Sequence, residues 1–253
     1  MMNNFKICYV SILSRIRAVN RKFYNKVNVK FSIILPTYNR ASCITKAIDS
    51  LLCQTYQNFE LIIVDDGSSD STEDLIKKNY AKQILSRKII YRKLLLNRGG
   101  CYARNQGQKL ARGKWIAYLD SDNEMAIDFL ETFKNAIVCN PDNKIFYTQI
   151  RKESNGEVIG RDFDFDELCR GNYIDLGVFV HHKSMIKKYG NFDENLRRLQ
   201  DWDLIIRYTR VEKPIYLAKP LLSYNDSNAF KRISNSESHE EAERYIMAKH
   251  NKI

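Results

Sequence analysis

Apolar and polar positions alternate in two different rhythms along this chain. Phe31 to Leu35 is a continuous apolar run closed by Pro36, the pattern of a buried strand. Ile44, Ala47, Ile48, Leu51 and Leu52 recur at helical spacing within 41–54. Phe59 to Val64 is again strand-like and stops at Asp65-Asp66-Gly67-Ser68-Ser69. A helix follows over 72–80, with Ser69, Asp70 or Ser71 as its N-cap. The alternation continues with a strand over 88–96, a helix over 100–111, a strand over 115–119, a helix over 127–139 and a strand over 144–150. Strands and helices joined this closely predict an α/β fold with a mostly parallel sheet and helices on both faces. Ligands in such sheets sit beyond the carboxyl ends of the strands.

Residues 1–30 stand apart. Ile12, Ile16, Val19 and Phe23 fall at helical spacing among Arg15, Arg17, Arg21, Lys22 and Lys26. That is a basic amphipathic arm, suited to an anionic membrane surface. Its competing uses are packing on the domain or forming a homodimer. Nine of the 41 Lys and Arg residues lie in the first 48 positions, which hold no Asp or Glu. The net charge of +11 therefore belongs mostly to the arm, and the nearly neutral body argues against nucleic acid as a partner. Ile7 to Leu13 is too short to span a bilayer, which takes about 20 residues. The six scattered cysteines form no C-x-x-C pair and read as small buried hydrophobes in a reducing compartment. The tail from 234 reads as an exposed helix or a frayed end.

Three strand ends carry the candidate chemistry. They are Pro36-Thr37-Tyr38-Asn39-Arg40, Asp65-Asp66-Gly67-Ser68-Ser69-Asp70 and Asp120-Ser121-Asp122-Asn123. Neither a G-x-G-x-x-G nor a P-loop pattern occurs. Carboxylates dominate instead, which suits a nucleotide held by base and ribose with a metal on its phosphates. D-x-D also occurs at Asp162/Asp164, Asp164/Asp166 and Asp201/Asp203, but only Asp120-Ser-Asp122 directly follows an apolar strand and precedes a helix. Carboxylate oxygens are the hard ligands that Mg²⁺ or Mn²⁺ prefers. Asp162 to Asp166 reads as a lead into a helix at Glu167. His181 and His182 read as satisfied strand-end histidines, Trp115 as core, and Trp202 as packing for the helix that presents Asp201.

Several segments together resemble the family 2 inverting glycosyltransferases of GT-A fold. They are Ser32-Ile-Ile-Leu-Pro-Thr-Tyr-Asn-Arg40, Gln54-Thr-Tyr-Gln-Asn-Phe-Glu-Leu-Ile-Ile-Val-Asp-Asp-Gly-Ser-Ser-Asp-Ser-Thr72, Ala103-Arg-Asn-Gln-Gly107 and Gly113-Lys-Trp-Ile-Ala-Tyr-Leu-Asp-Ser-Asp122. Gly190-Asn-Phe-Asp-Glu194 and Gln200-Asp-Trp-Asp-Leu204 extend the likeness, which covers about 31–222. The organisation it implies is an arm at 1–30, a GT-A domain at 31–222 and a loop and tail at 223–253.

The resemblance implies a hexosyl or N-acetylhexosaminyl transfer from a UDP-sugar to a glycan or lipid-linked acceptor, in bacterial surface polysaccharide or lipooligosaccharide synthesis. Work at the cytoplasmic face of the membrane would follow. Pro36, Thr37, Tyr38, Asp65 and Asp66 would line the uracil and ribose. Asp122 would ligate Mn²⁺ or Mg²⁺, Asp120 would support the metal or the ribose, and Ser121 lies between them. Arg98 or Arg104 would touch the diphosphate. Asp201 matches the catalytic base, while the usual Glu before it is Gln200 here. Where many members carry a His, 225–234 has none, and Lys231 or Arg232 would neutralise the diphosphate instead. Two other classes compete: a sugar-nucleotide nucleotidyltransferase, whose glycine-rich loop is absent after the first strand, and a non-enzymatic basic membrane adaptor.

Overall fold

The computed structural model describes residues 29–226 and 238–250. Most of the arm, together with Lys231 and Arg232, therefore lies outside the described residues. The strands are β1 (Phe31–Thr37), β2 (Phe59–Asp65), β3 (Ile89–Lys93), β4 (Trp115–Tyr118), β5 (Glu124–Met125), β6 (Ile145–Lys152), β7 (Val158–Ile159), β8 (Phe179–His182) and β9 (Ile215–Tyr224). The helices are α1 (Ile44–Leu52), α2 (Thr72–Asn79), α3 (Ala81–Leu85), α4 (Gly100–Leu110), α5 (Phe129–Cys139), α6 (Phe165–Arg170), α7 (Ser184–Tyr189), α8 (Gln200–Thr209) and α9 (His239–His250), with a 3₁₀ turn at Leu176–Val178. They build one α/β domain around a nine-stranded sheet in the order β3-β2-β1-β4-β8-β6-β9-β5, with β7 beside β6.

The β3-β2-β1-β4 block is parallel, and Thr37 lies opposite Asp65 at its carboxyl edge. Beyond it β8 runs antiparallel to both β4 and β6, and β9 returns parallel to β6. The period-2 alternation of strand side chains splits the core into two layers. Phe31, Ile33 and Leu35 pack with Ile44 and Ile48 of α1 and Phe129 and Phe133 of α5. Ile34, Ile62 and Tyr118 point the other way, toward Ala103 of α4 and Trp202 and Ile205 of α8. A Cβ on Gly107 would fall 2.5 Å from Ile34 Cγ2, so α4 crosses β1 at a distance that only glycine allows.

Some elements depart from the periodicity. The first helix begins at Ile44, because 41–43 form a turn whose Ala41 N–H donates to Asp70. The third strand ends at Lys93, since Leu94 N–H donates to the Asp65 carbonyl and the chain then leaves the sheet. The described part of the tail, 238–250, is a helix and not a frayed end. Within α9, Ile246 is fully buried and Lys249 and His250 reach Asp203 of α8. The cysteines are also not uniformly buried: Cys43 and Cys101 are, whereas Cys53 and Cys139 are exposed. All five described cysteines are free thiols. Among the described residues, no helix is long and apolar enough to cross a membrane.

Candidate active site

The loops after β1 and β2 are stapled together. Ser69 N–H donates to Asn39 Oδ1 at 2.8 Å, Asn39 N–H to Ser68 Oγ at 2.9 Å, and Asp66 N–H to the Thr37 carbonyl at 2.8 Å. Asp65 is fully buried, with Ser68 N–H on one carboxylate oxygen and the Tyr91 hydroxyl on the other. Its carboxylate braces the loop. Asp66 accepts the N–H groups of Arg98 (2.9 Å) and Gly99 (2.7 Å), so it fixes the approach to α4. Burial pushes the Asp66 carboxyl up, and those two N–H groups oppose the shift. The hydroxyl of Thr37 is buried and has no partner among the described residues. Pro36 is half-buried, and Tyr38 is 43% exposed at the rim.

The Asp120–Asn123 loop follows β4. Its backbone closes through Asn123 N–H to the Asp120 carbonyl, and Asn123 Oδ1 accepts Asn225 N–H at 3.0 Å from beyond β9. Ser121 is buried there. Arg104, buried in α4, joins this loop to α8. One guanidinium nitrogen donates to Asp120 Oδ1 at 2.6 Å and the other to Gln200 Oε1 at 2.8 Å. Burial opposes its charge, but Asp120, Cys101 and Asp201 together outweigh that and hold the guanidinium more firmly protonated. Arg98 instead lies over the Tyr102 ring, 3.7 Å from its centroid.

Asp201 sits in the first turn of α8 and accepts Asn172 Nδ2 at 2.8 Å. Burial raises its pKa against the Trp202 N–H and the charge of Arg104, and Asp120 adds to the rise. A carboxylate made more basic in this way is suited to general-base work. Asp203, two residues on, is driven the other way. It is fully buried, faces Arg207, Lys249 and His250, and its pKa is held well below the usual range because these partners outweigh desolvation. Trp202 packs as expected, 2% exposed with its indole N–H on the Leu168 carbonyl. His181 is fully buried between the Tyr118 hydroxyl and the His182 carbonyl, and burial lowers its pKa to about 4.

Two further residues belong to this site. Asp175 caps the 3₁₀ turn through the Gly177 N–H, and burial with the charges of Asp120 and Asp201 pushes it up to about 7. Arg197 stands over the entrance to α4, since a Cβ on Gly99 would lie 2.8 Å from its Nη1. For Arg197 the only sequence signal was the Arg197-Arg198 pair before Gln200. Asp175 carried none, being one Asp before an ordinary strand.

The donor set fits a divalent cation shared with a diphosphate. Asp120 is 47% exposed on its side chain, and Asp122 stands two residues away on the same loop. Among the described residues no cluster of three or more His, Cys, Asp or Glu could hold a metal alone. Mg²⁺ commonly takes one or two carboxylates and fills its shell with phosphates and water.

The model of glycosyl transferase family 2 matches residues 32–206. A PGL/p-HBAD biosynthesis glycosyltransferase of Mycobacterium bovis is 32% identical over 178 residues, covering 70% of this chain and 68% of that protein. An amylovoran biosynthesis glycosyltransferase of Erwinia amylovora is 29% identical over 219 residues, 78% of this chain and 70% of its own. A Sinorhizobium fredii protein, 32% identical over 183 residues, is far longer, and the chain spans 20% of its length. Among solved structures, S. aureus TarS in complex with UDP-GlcNAc shares the fold at TM-score 0.73 and 20% identity, covering 87% of this chain and 64% of that one. The mannosyltransferase PcManGT of Pyrobaculum calidifontis, with GDP-Man and Mn²⁺, does so at TM-score 0.63 and 18% identity, covering 81% and 59%. An α/β sheet whose carboxyl edge gathers Asp66, Asp120, Arg104 and Asp201 thus accompanies a family match across most of the chain: it belongs to the family 2 glycosyltransferases, with a GT-A fold.

Proposed function

We propose that this protein transfers a sugar from a UDP-sugar to a hydroxyl of a glycan or lipid-linked acceptor, with inversion, in bacterial surface polysaccharide or glycolipid synthesis. The observation that supports it most is the bridge from Arg104 to Asp120 and Gln200, which ties the candidate donor loop to the helix carrying Asp201. The UDP donor is supported by the likeness to TarS, which has been solved with UDP-GlcNAc. The acceptor class follows the amylovoran and PGL/p-HBAD relatives. In this reading Thr37, Asp66 and Tyr38 hold the nucleoside, and the unpartnered Thr37 hydroxyl gains a hydrogen bond on donor binding. Arg197 neutralises the diphosphate, with Lys231 and Arg232 as the further cations. Asp122 and Asp120 hold Mn²⁺ or Mg²⁺, which when bound stabilises charge on the diphosphate leaving group.

Asp201 takes the acceptor hydroxyl's proton as that oxygen attacks the anomeric carbon. Its raised pKa makes the transfer less uphill, and Asn172 orients the carboxylate. Attack opposite the leaving group gives inversion. The arm at 1–30 attaches the protein to the inner face of the membrane. The test is release of UDP from a panel of UDP-sugars, with and without Mn²⁺, alongside GDP-mannose. Metal-dependent turnover of one UDP-sugar is the expected result; turnover of GDP-mannose alone would refute the donor assignment.

A further inference from the structure

The near neutrality of the body conceals a basic sector. Between residues 75 and 119 the chain has twelve Lys and Arg and no Asp or Glu. Part of this sector forms the open edge of the sheet, because β3 is the terminal strand. Arg92 and Lys93 are exposed on it, and the loop that follows carries Leu95 and Leu96, 99% and 74% exposed, before the exposed Arg98.

This loop is held from beneath. Leu94 N–H donates to the Asp65 carbonyl at 2.8 Å, and Arg98 and Gly99 N–H donate to the Asp66 carboxylate. Gly67, at φ +78°, lies so close that a Cβ there would meet Leu96 and Asn97 backbone at 3.0 Å. Both ends of the loop are thus pinned to the donor edge, and its two leucines are driven outward. Exposed adjacent leucines are costly in water, while leucine between arginines matches the boundary of an anionic bilayer, where apolar groups enter the acyl region and cations meet headgroups. Glu73 pairs with Lys77 and Lys93, and the cations that remain still give the sector an excess of positive charge that favours an anionic surface. Residues 94–99 hold no aromatic side chain and the neighbouring Tyr102 ring is covered by Arg98, which disfavours single-stranded nucleic acid.

We infer that the Leu95–Leu96 loop, flanked by Arg92, Lys93 and Arg98, is a membrane-docking tip that seats the donor edge of the sheet against anionic lipid. This site is separate from the arm at 1–30. The inference rests on the proposed function only for its purpose, which is to bring a lipid-linked acceptor to Asp201. The binding itself is measured without donor or acceptor.

The experiment uses the full chain with vesicles of phosphatidylcholine alone or with about a third phosphatidylglycerol. Leu96→Trp places an indole on the tip. The native Trp115 and Trp202 are 6% and 2% exposed, so a change in emission reports the new indole. A blue shift with anionic but not neutral vesicles is expected. The double variant Leu95→Ser/Leu96→Ser, at exposed positions, should lose about tenfold in partition coefficient with its melting temperature unchanged. Arg92→Glu should weaken anionic binding only. An indole that does not respond to vesicles overturns the inference, whether the protein then binds through its arm, sediments as a dimer or binds single-stranded RNA. So does a serine variant that partitions as the wild type does. A protein inactive toward every UDP-sugar but showing the blue shift would refute the proposed function and leave the docking tip standing.

Discussion

Asp201 and Asp203 lie two residues apart in α8, and replacing each by Asn should move stability in opposite directions. Asp203 is fully buried against Arg207 at 2.9 Å, Lys249 at 2.9 Å and His250 at 3.0 Å. Removing one member of a buried ion cluster costs about 3–5 kcal/mol, because its partners stay desolvated. Arg207 and Lys249 retain 17% and 29% side-chain exposure and can turn toward water, so the low end applies. A loss of about 3 kcal/mol lowers the melting temperature of a chain this size by roughly 6–12 °C. Part of that loss is the docking of α9, which the same carboxylate holds.

Asp201 has no such cation cluster, and burial raises its pKa. A native carboxyl titrating above its unfolded value weakens the fold as pH rises, so Asp201→Asn at neutral pH should melt at the wild-type temperature or slightly above. It should also lower kcat by about 10²–10⁴, the usual share of general-base catalysis, with donor affinity nearly intact. Asp203 has the reverse linkage. Its depressed pKa gives stability that is present above the unfolded value of about 3.9 and is lost only as pH falls through the native one. The Asp203 carboxylate therefore stays ionised from pH 8 to pH 5, and Asp203→Asn should be the less stable protein throughout that range. Differential scanning fluorimetry of ligand-free protein measures the stability changes, and donor turnover and binding measure the kinetic one. A melting temperature for Asp203→Asn within 2 °C of wild type would refute the buried-cluster argument, and an equal loss in Asp201→Asn would make Asp201 structural.

Asp122→Asn should abolish transfer and leave UDP binding insensitive to Mn²⁺; full wild-type activity in excess EDTA is the contrary result, read by titration calorimetry and turnover. Arg104→Lys should cut kcat/KM by about tenfold or more, because one ammonium cannot span Asp120 and Gln200 as the guanidinium fork does; rescue of coupling by Gln200→Glu in that background would show that the bridge matters. Asp175 titrates near 7, above the unfolded value, so its ionisation weakens the fold as pH rises from about 4 to 7. The melting advantage of Asp175→Asn should accordingly widen across that interval and level off above pH 8, and a pH-independent difference would contradict it.

Strands β1–β4 and β6 and helices α1, α2, α4 and α5 were legible because each answers a local rule: an apolar run closed by Pro36 or by Asp65-Asp66, or a helical stripe such as Ile44 to Leu51; the short α3 and β5 carried no such signal. The antiparallel insertion of β8 between β4 and β6 was not, since nothing local fixes the partner of Phe179–His182. The strand edges pointed to Asp66, Asp120 and Asp122, and the family resemblance pointed to Asp201. Their division of labour was illegible. Asp65 and Asp66 are equivalent in sequence, but the first is closed off by Tyr91 and Ser68 while the second holds the head of α4. Asp175 acquires its perturbation from burial and from the charges of Asp120 and Asp201, which lie far from it in the chain.

The replacement of the usual Glu by Gln200 has a physical consequence in this geometry. A carboxylate at that position would make Arg104 the centre of a two-anion site and compete with Asp120 for it. It would also add a negative charge beside Asp201, driving that carboxyl further up. A neutral amide still accepts from Arg104 at 2.8 Å, and leaves Asp120 as the one carboxylate hydrogen-bonded to the guanidinium among the described residues. The structural link between the Asp120 loop and α8 survives the exchange while the charge beside Asp201 does not. The basicity of Asp201 is then set by burial, Asn172, Arg104 and the nearby carboxylates of Asp120 and Asp175. Gln200→Glu in the wild-type background should shift the ascending limb of the kcat/KM pH profile upward. An unmoved limb, with transfer otherwise intact, would mean that the group titrating in catalysis is not the carboxylate next to residue 200.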